Sequence, residues 1–284
     1  MIIPVTQPVI QSNAPGAASP AAPPTEERAI VAQTDQPVAA VVLPTFNERE
    51  NIEAMVAALR SLPVSVHIIV VDDNSPDGTG ELADQLGRDL AQVEVIHRSG
   101  KLGLGTAYAE GFARALGAGY DLVCTMDADF SHDPSYLPAL IDGARRNDLT
   151  IGSRYIRGGG VINWGRGRKL LSWGANTVAH MALGLKARDC TAGFRCYHRR
   201  VLETVDPASI RANGYSYLIE MLYNVQRAGF TVGEMPIIFA DRRLGQSKIS
   251  QSEIYRAMRT VARLSLRRLK GTLARCVTRD PAPA

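Results

Sequence analysis

The sequence predicts an α/β fold: a mainly parallel central sheet with helices on both faces, followed by a C-terminal amphipathic helix. Two observations carry that expectation. From residue 38 to about 153, short apolar runs alternate with stretches of helical period, the pattern of parallel strands joined by crossover helices. Polar residues also gather just past the ends of several of those runs, where open α/β sheets bind their ligands. The composition agrees, since 45% hydrophobic and 21% charged residues in a chain of 284 suit a globular protein with a sizeable core.

Residues 1–37 hold seven of the sixteen prolines and few large apolar side chains, which predicts a disordered arm. Residues 38–43 are an apolar run closed by Pro44, consistent with a buried strand. Ile52, Met55, Val56, Leu59 and Leu62 follow at helical spacing, and Pro63 marks a stop. Residues 66–71 read as a second strand ending in Asp72 and Asp73. Residues 75–79 carry turn and cap chemistry, with a helix to about residue 90. A third strand is expected at 93–97, a helix at 103–117, a fourth strand at 122–126, a helix opened by Pro134, and a fifth strand at 149–152. Beyond Arg154 the pattern loosens. Residues 158–160 read as a flexible glycine loop, 170–183 as a helix and 190–195 as a compact polar-aromatic turn. Residues 215–227 read as a helix and 232–240 as a strand.

The net charge of +4 is unevenly spread. Residues 242–284 carry eleven Lys/Arg against two acidic residues, a net of +9, which leaves −5 for residues 1–241. Such a tail calls for an anionic partner. Within it, Arg256, Arg259, Arg263, Arg267 and Lys270 form one helical stripe. Ile254, Met258, Ala262, Leu266, Leu269 and Leu273 form another, roughly 100–120° away. This suits the surface of an anionic bilayer; the plainer alternative packs that apolar stripe on the domain. Tyr255 is the one aromatic residue there, which argues against a nucleic-acid partner. No run approaches the length of about 18 apolar residues needed to span a membrane, and no secretory signal opens the chain. Cys124, Cys190, Cys196 and Cys276 show neither a CxxC pair nor zinc spacing. The expectation is a cytoplasmic protein lying peripherally on the cytoplasmic face of a membrane. Its expected parts are an arm (1–37), a main domain (38–250) and a basic helix with its tail (251–284).

Residues 125–131, Thr-Met-Asp-Ala-Asp-Phe-Ser, concentrate the chemistry. If the backbone stays extended, Asp127 and Asp129 share one face. Two hard oxygen anions at a strand end suit Mg²⁺ or Mn²⁺ bridged to substrate phosphates. The plainer alternative is a turn with two solvated carboxylates. Side chains so placed cannot flank a sugar ring from opposite sides, as a glycosidase pair does. No Gly-x-Gly-x-x-Gly follows the first strand and no Gly-x-x-x-x-Gly-Lys-Ser/Thr occurs, which argues against a dinucleotide site and a P-loop.

Seven pieces now fall in order: Pro-Thr-Phe-Asn-Glu at 44–48, Val-Asp-Asp-Asn-Ser-Pro-Asp-Gly-Thr at 71–79, Lys-Leu-Gly-Leu-Gly-Thr-Ala-Tyr at 101–108, Met-Asp-Ala-Asp-Phe-Ser-His-Asp-Pro at 126–134, Gly-Ser-Arg-Tyr at 152–155, Asp-Cys-Thr-Ala-Gly-Phe-Arg at 189–195 and Asp-Arg-Arg-Leu-Gly-Gln-Ser-Lys at 241–248. On these the chain resembles glycosyltransferase family 2, the inverting GT-A enzymes, and within it the dolichol- or polyprenol-phosphate mannosyltransferases. The resemblance implies a GT-A fold, GDP-mannose as donor, a polyprenyl monophosphate as acceptor, and Mg or Mn as cofactor. It implies that Pro44, Phe46, Glu48, Val71 and Asp73 hold base and ribose, with Phe46 where the family usually has Tyr. Asp127 and Asp129 would hold the metal, with Ala128 small enough to admit the ribose. Ser131, where some relatives carry Gln, is a further metal candidate. Arg154, Arg242 and Lys248 would meet the phosphates and Arg168 the acceptor phosphate, with Asp129, Arg154 and Arg168 as the catalytic set. Arg195 reads as a brace of the acceptor loop and His132 as a turn residue.

On this reading the acceptor brings its own nucleophile, a phosphate monoester with a second pKa of about 6, so no strong general base is needed. Charge compensation and positioning carry the reaction. Two alternatives stand beside it. One is hexosyl transfer to a lipid phosphate from a UDP or dTDP donor; many such relatives end in transmembrane helices, which this sequence lacks. The other is a non-catalytic nucleotide-sugar scaffold docked by the basic tail. An integral-membrane partner is compatible with each.

Overall fold

The structure, a computed structural model, describes residues 39–241 and 251–277, the side chains of 251–254 and 271–277 excepted. The expected arm at 1–37 and the site candidates Arg242 and Lys248 lie outside the described residues. The first half alternates as anticipated: β1 (Ala39–Thr45), α1 (Arg49–Arg60), β2 (Val66–Asp72), α2 (Thr79–Asp89), β3 (Val93–His97), α3 (Leu104–Gly117), β4 (Leu122–Thr125), α4 (Leu137–Arg146) and β5 (Leu149–Ser153). There follow β6 (Gly160–Ile162), α5 (Arg166–Leu183), β7 (Arg195–His198), α6 (Arg199–Val205), α7 (Tyr215–Arg227), β8 (Val232–Pro236), β9 (Ile238–Ala240) and α8 (Gln251–Val277).

Seven strands form one sheet in the order β3-β2-β1-β4-β7-β5-β8. Only β7 runs antiparallel to its neighbours; the other pairs are parallel. Both faces are covered. On β1, Ala40 and Val42 join the core on one side of the sheet, while Ala39, Val41 and Leu43 join the core on the other. That period of two explains why the run is continuously apolar rather than alternating. Each buried Val or Leu contributes about 1.5–3 kcal/mol against exposure. Helix α3 lies close on β1 because Gly111 has no side chain; a Cβ there would stand 2.3 Å from Val42 Cγ1. The chain leaves β1 toward β2 on one side and reaches β4 on the other, so the strand order reverses at this point, where such sheets open a crevice.

Several expectations need correction. Helix α1 stops at Arg60, before Pro63, with Ser61 as its C-cap. Pro134 opens a single 3-10 turn, and α4 proper begins at Leu137. The expected strand at 232–240 is two strands. Ile237 turns aside to donate its N–H to Ser153 O, and β9 then pairs in parallel with β6 in a separate two-stranded sheet. The expected glycine loop at 158–160 therefore runs into a strand at 160–162, ordered by a partner distant in sequence. The antiparallel β7 begins at the last residue of the expected polar-aromatic turn.

Candidate active site

The carboxylate pair departs from its expected geometry. Strand β4 ends at Thr125 and the chain bends over residues 128–130, with Phe130 in the left-handed region at φ 61°. The pair therefore does not sit on one face of an extended strand. Asp129 is buried and its Oδ1 accepts from Ser131 N–H (3.0 Å) and Ser131 Oγ (2.6 Å). The side chain of Asp127 is 40% exposed. Its backbone N–H donates to His132 Nδ1 (3.1 Å), which puts the ring proton on Nε2. Burial pushes the His132 pKa down, over the opposing pull of Asp127 and Asp129, so the ring is neutral. The 3.6 Å approach of Nδ1 to Asp127 Oδ2 is accordingly not an ion pair. Packed against Phe194 and Phe239, His132 forms the wall of the site and is more than a turn residue. Nothing in its spacing signals this; it follows from a loop fold that spacing does not encode.

The remaining oxygen donors decide which cation fits. Among the described residues no group of three or more His, Cys, Asp or Glu could close a metal cage. Asp127 and Asp129 supply hard oxygens, a set that suits Mg²⁺ or Mn²⁺ when phosphate oxygens and water complete the shell. The Ser131 hydroxyl proton is already given to Asp129, which leaves its lone pairs as the group available to a ligand.

On the β1–β2 side the expected base-and-ribose residues do come together. Pro44 lies opposite Val71 in the β1–β2 register, and Asp73 N–H donates to Thr45 O (3.0 Å). Asp72 is an internal clamp. It accepts from Thr45 Oγ1 (2.9 Å), Ser75 N–H (2.9 Å) and Ser75 Oγ (2.6 Å). Glu48 stands at the N-cap position of α1 without a side-chain cap bond; its Oε2 accepts from Asn51 Nδ2 (2.8 Å). Asp73 is joined by its Oδ1 to Arg98, a residue the sequence reading missed. Lys101 Nζ lies 4.1 Å over the Phe46 ring.

On the other side of the carboxylates the arginines are already engaged. Arg154 binds Asp189 through Nε and Nη2 (2.7 Å each) and through its backbone N–H (3.0 Å), and Nη2 also reaches Thr191 Oγ1 (2.8 Å). Burial would lower the Arg154 pKa, but Asp189 raises it; burial opposes the charge on Asp189, but Arg154 holds its carboxyl below the usual range. Two Arg154 nitrogens thus serve Asp189, and Nη1 alone makes no hydrogen bond among the described residues. Arg168 stacks on Trp164 (4.1 Å) and donates from Nη1 to both oxygens of Asp241 (3.1 Å). Arg168 Nε and Trp164 Nε1 are buried without a hydrogen-bond partner among the described residues. Arg195 is fully buried and donates to the carbonyls of Ala192, Cys190 and Leu218 (2.7–3.0 Å), the brace it was expected to be.

A cavity of about 730 Å³ runs from Asp127, His132 and Arg154 past Trp164 and Arg168, ending between α5, α7 and α8. Its far walls are apolar, with Leu171 and Val178 from α5, Ile219 from α7, and Met258 and Val261 from α8. Helix α8 has three faces where two were expected. Ala257, Val261 and Leu264 pack against the main core, with Arg263 bound to Glu220 (2.6 Å) and Arg268 to Ala182 O (3.2 Å). Of the predicted apolar stripe, Met258, Ala262, Leu266 and Leu269 are exposed, as are Leu170, Trp173, Val178 and Met181 of α5, while the side chains of Ile254 and Leu273 lie outside the described residues. Among the described residues no helix is long and apolar enough to cross a membrane.

The model of glycosyl transferase family 2 matches residues 40–206. Polyprenol monophosphomannose synthase of Mycolicibacterium smegmatis is 46% identical over 229 residues, covering 80% of this chain and 86% of the relative. Undecaprenyl-phosphate mannosyltransferase of Micrococcus luteus is 40% identical over 225 residues, covering 79% and 93%. Among solved structures, glucosyl-3-phosphoglycerate synthase of Mycobacterium tuberculosis, in complex with Mn²⁺, uridine diphosphate and glucosyl-3-phosphoglycerate, aligns with a TM-score of 0.59 at 20% identity, covering 81% of this chain and 80% of that one. A mannosyltransferase of Pyrobaculum calidifontis in complex with GDP-Man and Mn²⁺ aligns at 0.54 and 14% identity, covering 88% and 67%. These two structures share the fold.

Proposed function

The chain belongs to glycosyl transferase family 2, and from that premise we propose that it moves mannose from GDP-mannose to a polyprenyl monophosphate, giving β-mannosyl phosphopolyprenol and GDP. Relatives named for mannosyl transfer to polyprenol phosphates support the acceptor and the sugar. The observation that carries the reading is the company of groups lining one cavity: the Asp127 carboxylate, Arg154 and Arg168, and the apolar side chains of α5, α7 and α8. A lipid phosphate set down beside a metal-bound sugar diphosphate needs those three kinds of group together. Its phosphate would lie by Arg168 and its chain between α5 and α8.

A divalent cation held by Asp127 and Asp129 would neutralise the departing diphosphate. The protein's own groups do the rest. Asp189 fixes Arg154 with one guanidinium nitrogen left for phosphate, so that little reorganisation is needed during transfer. Trp164 and Asp241 orient Arg168 at the mouth of the cleft. Arg242 and Lys248 complete the phosphate set in this reading. His132 Nδ1 is occupied by the Asp127 N–H, which fits a reaction whose nucleophile is the acceptor's own phosphate oxygen, already ionised near neutral pH with a pKa of about 6. The apolar residues exposed on α5 and α8, beside the basic stripe, support a peripheral position on the cytoplasmic face of an anionic membrane, reached by the helix at 251–277.

The test is transfer by the full-length protein with Mg²⁺ or Mn²⁺, offered GDP-mannose or UDP-glucose and a polyprenyl phosphate. Mannose should move from GDP-mannose, and Asp129→Ala should abolish transfer. Equal use of UDP-glucose, or activity that survives the substitution, would overturn the reading.

A further inference from the structure

Helix α5 wears its polarity the wrong way round. A helix on a globular domain normally turns an apolar stripe inward. Here Leu170, Trp173 and Met181 are exposed, while Arg168, Ser172 and Asn176, each four residues after the last, form a polar stripe. Every member of that stripe is bonded to another segment of the protein. Arg168 donates to Asp241 (3.1 Å), Ser172 Oγ accepts from Tyr155 Oη (2.7 Å), and Asn176 Oδ1 accepts from Cys190 N–H (2.8 Å).

Asn176 is the deepest of the three, at 2% exposed. Its Nδ2 donates to Ser172 O (2.9 Å) and to Thr191 Oγ1 (3.1 Å). A backbone donor on one side and two acceptors on the other leave the amide a single orientation. Thr191 Oγ1 also accepts from Arg154 Nη2 (2.8 Å), so its hydroxyl joins the amide of α5 to the guanidinium past β5. Nη2 thereby spends one proton on Asp189 (2.7 Å) and the other on Thr191, and the two N–H groups of Nη1 are left on an arginine that lines the cavity. From the far side Glu234 holds the same loop, its carboxylate accepting from Arg188 N–H (2.9 Å) and Asp189 N–H (3.0 Å). The helix that carries Arg168 is thus bolted at two points, through Ser172 and through Asn176, to the residues around Arg154.

We propose that Thr191 and Asn176 are positioning residues for the transfer: they tie the guanidinium of Arg154 to α5, so that Arg154 and Arg168 keep one fixed separation. The assignment rests on the reading that Arg154 meets the donor diphosphate and Arg168 the acceptor phosphate. On that reading the two arginines face the leaving and the attacking anion of a single displacement, and the spacing of those anions changes little while charge passes from one to the other. Asp189 alone grips Arg154 along one edge, which leaves the guanidinium free to rock about that edge. The Thr191 bond removes the rocking and refers the arginine to the helix that seats the acceptor. A misplacement of about 1 Å at such a group costs on the order of a hundredfold in rate.

The experiment is steady-state kinetics of the full-length protein with Mn²⁺, GDP-mannose and a short polyprenyl phosphate, with thermal unfolding followed in parallel. The variants are Thr191→Val, which keeps the branched shape and removes only the hydroxyl, Thr191→Ser, Asn176→Leu, and Thr191→Val combined with Asn176→Leu. Thr191→Val should lower kcat about tenfold or more and move neither KM by more than about twofold, and Thr191→Ser should bring kcat back to within about threefold of the parent. The double variant should be no slower than the slower single one, because both substitutions cut the same chain of bonds. A merely structural role gives a different pattern: losses of rate that follow the unfolding temperature and multiply in the double variant. That pattern, or parental kcat in Thr191→Val, overturns the proposal while the functional reading stands. Should Asn176→Leu fail to fold, the two Thr191 variants decide the matter alone. If the parent itself moves no mannose from GDP-mannose, the functional reading falls and this one with it.

Discussion

At the β1–β2–β3 end of the site the polar side chains are tied to one another before any ligand arrives. Asp72 accepts three hydrogen bonds, Asn51 anchors Glu48, and Arg98 fixes Asp73. At the α5–α8 end the cavity is walled by aliphatic side chains and holds two buried nitrogens, on Trp164 and Arg168, that have no hydrogen-bond partner among the described residues. The first end is preorganised, and in the reading proposed above its selectivity would come from fixed donors and acceptors. The second would bind by removing apolar area from water, a force that grows with the area buried and takes little account of chemical detail. A transferase that must recognise one nucleotide yet accept a long, featureless lipid is served by this division.

The largest effect is expected at the joint between the two ends, the buried Arg154–Asp189 pair. Asp189→Leu leaves an uncompensated buried guanidinium and should cost about 3–5 kcal/mol in urea unfolding, with turnover lost. Arg154→Met added to Asp189→Leu should restore most of the stability and none of the turnover, because a well-packed apolar pair can replace a buried ion pair but cannot meet a phosphate. Recovery of activity in the double variant would show that the joint is structural only. The pH dependence has a definite sign. Asp189 has its folded pKa below the ordinary 3.8, so its stabilisation is complete above about that value and fades as pH falls through it toward the folded pKa. The double variant should show a flatter acid limb than the parent protein.

The apolar end gives the next effect. Leu266→Glu with Leu269→Glu should lower cosedimentation with anionic vesicles about tenfold or more. Turnover of a short, water-soluble prenyl phosphate should stay within about twofold of the parent. Both residues are exposed and neither lines the cavity, so a fall in that second activity would mean the stripe shapes the cleft rather than meeting the membrane.

This contrast also explains what could be seen in the sequence. The β1–β5 half is built from local elements, so apolar runs and turn residues placed its strands to within a few residues, and Asp73, Asp127 and Asp129 stood out as polar groups just past strand ends, while Phe46 came from the resemblance alone. The rest depends on contacts distant along the chain. Residues 160–162 become β6 because residues 238–240 lie alongside, and β7 enters between β4 and β5 although it follows both far along the chain, pairing Arg195 with Thr125 and with Ile151. The pairing of Arg154 with Asp189, 35 residues on, carries no periodic signal. Helix α8 was recognised from its two stripes, but Ala257, Val261 and Leu264 were not seen as a third, since a short apolar row reads the same whether or not a partner covers it. Arg98 was missed for a different reason: a single arginine after a strand is most often a surface charge.

The smallest effect expected is that of Phe46→Tyr. The ring is partly buried at the end of β1 with Lys101 over its face, so a base stacking there meets the same aromatic surface in either residue. The added hydroxyl projects from the ring edge and meets the nucleotide only if that edge, rather than the face, makes the contact. The donor KM should therefore move by less than about threefold and kcat not at all, since a neutral hydrogen bond exchanged with water is worth about 1 kcal/mol at most here. A matched trim of the apolar end, Val178→Ala, should raise the acceptor KM by a similarly small factor through lost burial of two methyl groups. A change of tenfold or more from Phe46→Tyr alone, in steady-state kinetics with GDP-mannose, would show that the nucleotide end reads this ring by its edge, and that its fixed network extends one residue further than the bonds to Asp72 and Asp73 indicate.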